Sequence, residues 1–192
     1  LAQDTSDGGP AVIIGAPWRE GVHLYNAGAL LKGGRVDAIR YKSHLPNYGV
    51  FDEPRRFAPG PDLPKPVEVN GFRIGLMICE DMWLPGPGEH LRDNGAELFI
   101  VPHGSPFRET ALNERVGAAR DRLRACGLPL LFVNQLAGQD EVLFDGAGFV
   151  MGADGAVLHR CPQFTEGLFL TRWVRRADGA VCTDGPTHDW VG

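Results

Sequence analysis

Cys79 closes the apolar run Gly75-Leu76-Met77-Ile78, and Glu80 and Asp81 follow at once. A thiol is a nucleophile as its thiolate, and nearby negative charge raises its pKa. A reactive cysteine in this setting therefore needs a cation from elsewhere in the chain. Lys42, at the end of the run 35–42 and just before an aromatic-rich loop, is the best candidate. Each residue also has a plainer reading, since free cysteines are mostly buried packing residues and most lysines are solvated surface charges. Position favours chemistry, because open α/β sheets bind ligands beyond the carboxyl ends of their strands, and Cys79 reads as the last residue of one. Alternation along that strand puts Cys79, Met77 and Gly75 on one face and turns Glu80 away from the sulfur.

The elements that must position these groups follow from the patterning. Residues 11–17 (AVIIGAP) are a short apolar run stopped by Gly and Pro, the pattern of a buried strand. Residues 23–31 and 35–42 flank a Gly pair and predict a hairpin. The stretch 43–66 is long, proline-rich and aperiodic, yet it carries Tyr48, Phe51 and Phe57, which argues against disorder. A second hairpin is expected about Asn70-Gly71. A short helix over 88–95 has Gly95 as its C-cap. A strand at 97–102 leads to a helix over 110–126, with Leu112, Val116, Ala119 and Leu123 on its apolar face and charges elsewhere. Gly127 and Pro129 stop that helix. Residues 128–134, 141–151, 155–160 and 167–174 read as strands, the last of them final, and 176–192 as an irregular tail or the start of a linker. Strands mixed with helices and joined by hairpins give an α/β domain.

Composition narrows the classes. The chain has 192 residues, 43% of them hydrophobic, which suits one domain with a real core. Its net charge of -5 argues against a nucleic-acid partner. No apolar run approaches a membrane span, and no secretory signal is present, so a cytoplasmic location is expected. Cys79, Cys126, Cys161 and Cys182 are widely spaced and read as reduced thiols. The six histidines show no metal-ligand spacing, and neither GxGxxG nor GxxxxGK[ST] occurs, so no metal and no cofactor is expected for this domain. The chain opens on Leu1 rather than Met, and a true N-terminus upstream is expected.

Several phrases, in order, carry a resemblance: YKSHLPNYGVFDEPRRFAPG, GLMICEDMW, SPF and NQLAGQDEVLFDGAGF. Together they resemble the nitrilase, or carbon–nitrogen hydrolase, superfamily, and more narrowly the glutaminase domains of glutamine-dependent NAD+ synthetases. The resemblance covers about 11–170. It implies a four-layer α-β-β-α sandwich whose N-terminal part is missing from this chain, with a partial hydrolase domain over 1–175. It implies Cys79 as nucleophile, Lys42 as the cation for thiolate and oxyanion, and Glu53 as the acid that orients Lys42. The Glu80 N–H would complete the oxyanion hole. Tyr48 and Ser105 would line the substrate site, although a packing aromatic and a turn serine are the plainer readings. Glu80 or Asp81 would meet a substrate ammonium. The loop 134–149 would close the site, with Gln139, Asp140 and Glu141 as structural hydrogen-bonders.

Two departures matter. The proton-transferring glutamate of the superfamily lies upstream of the segment matching 11–18, where this chain has only Asp4 and Asp7. A basic residue that often follows the serine by six positions is Ala111 here, with Arg108 and Arg115 available instead. The implied function is hydrolysis of the L-glutamine side-chain amide, supplying ammonia to a synthetase domain of the same longer chain, where ATP and Mg would act. A homo-oligomer is implied. The alternatives are a stand-alone hydrolase of another small amide and a catalytically dead interaction domain of the same fold.

Overall fold

An antiparallel meander opens the fold: β1 (Val12–Glu20), β2 (His23–Lys32) and β3 (Arg35–Tyr41). Gly33 and Gly34 turn β2 into β3 with φ of 59° and 80°, the left-handed pair that a tight hairpin demands. The expected hairpin is there. β1 runs to Glu20 and is a half-buried edge strand rather than a buried one, while the central β2 takes the burial. The structure is a computed structural model that describes residues 1–191, with side chains described through Thr183.

Residues 43–66 contain a single 3-10 turn, Glu53–Arg55, and no strand. β4 (Val67–Val69) and β5 (Phe72–Leu76) then form the second expected hairpin, with Asn70 and Gly71 at φ 51° and 79°. β5 pairs in parallel with β6 (Leu98–His103), and β6 with β7 (Leu130–Asn134). A separate hairpin of β8 (Leu136–Gln139) and β9 (Val142–Asp145) intervenes. β10 (Phe149–Met151) and β11 (Val157–Arg160) then complete a six-stranded sheet in the order β11-β10-β7-β6-β5-β4.

Alternation sends one face of that sheet to the meander and the other to helices. Ile74, Leu98, Ile100 and Leu131 meet Ile13, Leu30 and Ala38 between the two sheets. Phe99, Val101, Leu130, Phe132, Phe149 and Met151 face α1 (Glu80–Trp83), α2 (Pro87–Asp93) and α3 (Ala111–Cys126). Each such buried Leu or Phe contributes roughly 1.5–3 kcal/mol. The two sheets approach closely at Gly28, where a Cβ would lie 2.6 Å from Leu76 Cδ2 and would force that side chain to move.

The layers therefore run helix, sheet, sheet. Among the described residues, all three α-helices pack on the six-stranded sheet. None of the helices is long and apolar enough to cross a membrane.

Three local expectations are corrected. β5 ends at Leu76, so Cys79 is not in the strand: it sits at φ 48°, ψ −103° as the residue before α1. The expected irregular tail holds a further strand, since β12 (Leu168–Arg175) is followed by β13 (Val181–Val191), which pairs with it antiparallel, while Gly192 lies outside the described residues. The charged positions of α3 are not all exposed, because Arg115 and Arg122 are buried beside Val116, Ala119 and Leu123.

Candidate active site

The turn that carries Cys79 is built from backbone bonds and one carboxylate. Beyond the end of β5 the chain keeps pairing with β6, Met77 N–H donating to Ile100 O and Cys79 N–H to Pro102 O (3.0 Å). Helix α1 then starts at Glu80, so the backbone reverses within one residue. A non-glycine residue at positive φ costs on the order of 1–3 kcal/mol and persists only where its surroundings hold it. Asp81 supplies the hold. Its Oδ2 accepts the Ile78 N–H (3.2 Å), and its Oδ1 accepts the N–H groups of Ser43 (3.0 Å) and His44 (2.9 Å). Burial pushes the Asp81 carboxyl up, and those three donors oppose the rise. Asp81 thus ties the Cys79 turn to the segment directly after Lys42. Only 1% exposed and fully engaged, it is not the partner of a substrate ammonium that sequence reading allowed.

Lys42 is 1% exposed, and its Nζ is 2.6 Å from Glu53 Oε1. Glu53 Oε2 also accepts from Asn26 Nδ2 (3.3 Å), and the Asn26 carbonyl accepts the Lys42 N–H (2.8 Å). An unpaired ammonium could not stay buried at so low an exposure, so Glu53 fixes both the charge and the place of Lys42. The Cys79 thiol is pushed up by burial. The Lys42 charge pulls it down, Glu53 and Glu80 raise it, and the Gly104 N–H lowers it again. The acids beside the cysteine do act on it, through Glu80, and Lys42 is the cation set against them.

Cys79 opens on a cavity of about 540 Å³, within the roughly 300–1,000 Å³ common for small-ligand sites. Tyr48, Phe51, Glu80, Trp83, His103, Ser105 and Arg108 line it, together with Glu141 and Leu143 from the β8–β9 hairpin. Glu80 does not turn away as an extended chain would have it. Its Oε2 accepts the Tyr48 hydroxyl at 2.8 Å on the cavity wall, and burial and Glu80 together push the Tyr48 phenol up. Ser105 is held by Asn134, whose Oδ1 accepts its N–H (2.8 Å), and by Arg115, whose Nε donates to Ser105 Oγ (3.0 Å) and Nη2 to Ser105 O (2.8 Å). Arg108 pairs with Glu114 at 2.6 Å on the rim.

Of the residues expected from sequence, Cys79, Tyr48, Glu80, Ser105 and Arg108 share this cavity. Lys42 and Glu53 are not among its lining residues, and Lys42 acts on the thiol through its charge. Glu141 lies on the wall as well. His103, Asn134 and Arg115 as a clamp escaped the sequence reading. The signal available for them was position, since His103 ends β6 and Asn134 ends β7, side by side in register.

The family model described as carbon-nitrogen hydrolase matches residues 1–176. The glutamine-dependent NAD(+) synthetase of Rhodobacter capsulatus is 43% identical over 168 residues, which is 88% of this chain and 30% of that protein. The protein of the same name from Xanthomonas campestris pv. campestris (strain 8004) is 39% identical, over 82% of this chain and 29% of its own length. The chain therefore spans about three tenths of these curated relatives. Among solved structures, a glutamine-dependent NAD+ synthetase from Acinetobacter baumannii, in complex with ADP, superposes with a TM-score of 0.76 at 31% identity, over 81% of this chain and 30% of that one. A variant of the amidase from Nesterenkonia sp. AN1, with acrylamide added at its active-site cysteine, gives a TM-score of 0.73 at 27% identity, over 84% and 63% of the two chains.

Proposed function

The chain belongs to the carbon–nitrogen hydrolase family, and on that premise we propose that it hydrolyses the side-chain amide of L-glutamine as the glutaminase part of a glutamine-dependent NAD+ synthetase. The observation that carries this reading is the convergence of Cys79, at a strained turn, with the buried Lys42–Glu53 pair and a cavity of amino-acid size.

Cys79 Sγ attacks the carboxamide carbon. The carbon–nitrogen bond breaks, ammonia leaves with the proton it needs, and water then cleaves the thioester to glutamate and the free thiol. Lys42 stabilises the thiolate and the negative oxygen of each tetrahedral stage, with the N–H of Glu80 as second donor. Glu53 keeps Lys42 charged and in place. Tyr48 and Glu80 receive the ammonium end of the substrate and Arg108 its carboxylate. The resemblance gives proton transfer to a glutamate ahead of Val12. The acids at those positions, Asp4 and Asp7, are exposed and off the cavity.

The same reading gives ATP and Mg to a synthetase unit of the same polypeptide, with a homo-oligomer in the cytoplasm. A second reading, a hydrolase of another small amide, is favoured by one observation. Ala111 stands buried where the resemblance implies a basic residue for the substrate carboxylate.

The test is ammonia release by the natural gene product from L-glutamine and from propionamide. Release from glutamine that is lost in Cys79→Ala supports the proposal. Release from propionamide alone replaces it with the second reading. A glutamine-like diazo-ketone should alkylate Cys79 and spare Cys126, Cys161 and Cys182, and labelling spread over all four would remove Cys79 as nucleophile.

A further inference from the structure

His103 ends β6 on the wall of the Cys79 cavity, 6% exposed, with no hydrogen-bond partner on Nδ1 or Nε2 among the described residues. Its ring stacks on Phe132, with centroids 4.1 Å apart and planes 22° from parallel, so packing holds its orientation. A buried polar group without a partner costs about 1–3 kcal/mol, and such exceptions call for an explanation.

The neighbouring polar groups are already engaged. Ser105 and Asn134 bond each other, Ser105 Oγ also accepts from Arg115, Glu80 bonds Tyr48, and Lys42 is on Glu53. Among the described residues, His103 is therefore a buried side chain of this wall whose ring nitrogens have no partner. The charges facing it, Lys42 and Arg115, are both positive, and with burial they keep the imidazole neutral. A neutral imidazole has one N–H donor and one bare acceptor nitrogen. A primary carboxamide offers the complement, N–H donors and a carbonyl acceptor. A carboxylate offers no donor.

We propose that His103 is a substrate-binding residue that recognises the primary carboxamide and separates it from the carboxylate product. The inference rests on the glutaminase reading above. In the tautomer that turns its bare nitrogen to the ligand, that nitrogen is satisfied by the amide N–H and faces oxygen lone pairs once ammonia has gone. Binding would thus favour substrate over product, in keeping with the strong rejection that sites built around a hydrogen bond show toward analogues lacking it.

The experiment uses the gene product carrying Cys79→Ala, so that bound amide is not consumed, with calorimetric titration of L-glutamine and of L-glutamate. Adding His103→Phe keeps the ring stacked on Phe132 and removes both nitrogens. Glutamine affinity should then fall roughly 10-fold or more, as loss of one buried hydrogen-bond partner implies, with glutamate affinity little changed. His103→Asn, which restores a donor and an acceptor, should recover part of the loss. The ring 15N shifts of His103 should move on adding glutamine, a readout that needs no variant at that position. Unchanged glutamine affinity, equal loss for both ligands, or unmoved ring shifts in glutamine-saturated protein would overturn the proposal. Failure of the Cys79→Ala protein itself to bind glutamine would show before His103 is altered, and would overturn the glutaminase reading and this inference with it.

Discussion

At the scale of single residues, the site is a contest between burial and charge. Burial drives the Cys79 thiol toward its neutral form, and Lys42 is the largest influence in the other direction. Replacing Lys42 with Ala removes that influence and leaves burial, Glu53 and Glu80 all acting to raise the thiol pKa. The alkylation profile of Cys79 should move to higher pH, with a rate near neutrality lower by about 10-fold for each pKa unit gained. A profile unmoved in Lys42→Ala would take Lys42 out of the mechanism. His103 titrates in the opposite sense. Burial first, then the charges of Lys42 and Arg115, hold its folded-state pKa well below the ordinary 6.5. As pH falls below about 6.5 the unfolded chain takes up a proton that the folded chain refuses. Stability must then drop by up to about 1.4 kcal/mol per pH unit from this one group, and the contribution is fully present above that pH. Comparing denaturant midpoints at pH 7 and pH 5.5 checks this. The difference should shrink in His103→Phe, which has nothing to protonate.

At the scale of elements, precise placement of Cys79 depends on how closely β5 and β6 pack. Gly75, four residues before the cysteine, has no space for a side chain: a Cβ there would lie 2.7 Å and 2.9 Å from two ring carbons of Phe99, which is fully buried. Gly75→Ala forces that ring or the strand to move, at roughly 1–3 kcal/mol for overpacking. For a chain of this size the expected fall in Tm is roughly 2–12 °C, and a smaller alkylation rate at Cys79 should accompany it. A variant as stable as the parent would mean that the strand can shift freely. Glycine here was visible in the sequence, but its partner across the sheet was not, because strand order is not written in any local pattern. Both early hairpins were legible because Gly33-Gly34 and Asn70-Gly71 announce their turns. β8 and β13 were not, since neither Leu136–Gln139 nor Val181–Val191 alternates apolar with polar residues. Cys79 looks like a strand residue in the sequence for a related reason: the apolar run continues through Ile78 while the regular strand stops at Leu76.

At the scale of the molecule, the question is what joins the helical layer to the wall of the cavity. The residues that share the cavity, Cys79, Tyr48, Glu80, Ser105 and Arg108, sit in distinctive phrases of the sequence. The framework that unites them was hidden, because a helical period counts an arginine as solvent-facing. Arg115 is 0% exposed and Asp145, at the end of β9, 1%. Their ion pair is 2.8 Å long, and Arg115 also donates to the carbonyls of Ser105 and Pro106. Burial works against the Asp145 charge, but Arg115 and Gln163 hold its carboxyl below the usual value. One guanidinium therefore links α3, the Ser105 loop and the β8–β9 hairpin that carries Glu141 and Leu143. Removing one member of a buried pair strands the other charge, at about 3–5 kcal/mol, whereas replacing both with apolar residues is often close to neutral. Arg115→Met and Asp145→Leu should each lower stability by about that amount, and the double variant should recover much of the loss. On the proposed glutaminase function, the double variant should nonetheless bind glutamine more weakly than the parent, because the Ser105 loop has lost its three Arg115 bonds. Stability restored together with full glutamine affinity would mean that the pair serves the core alone and that Asn134 suffices to hold Ser105 in place.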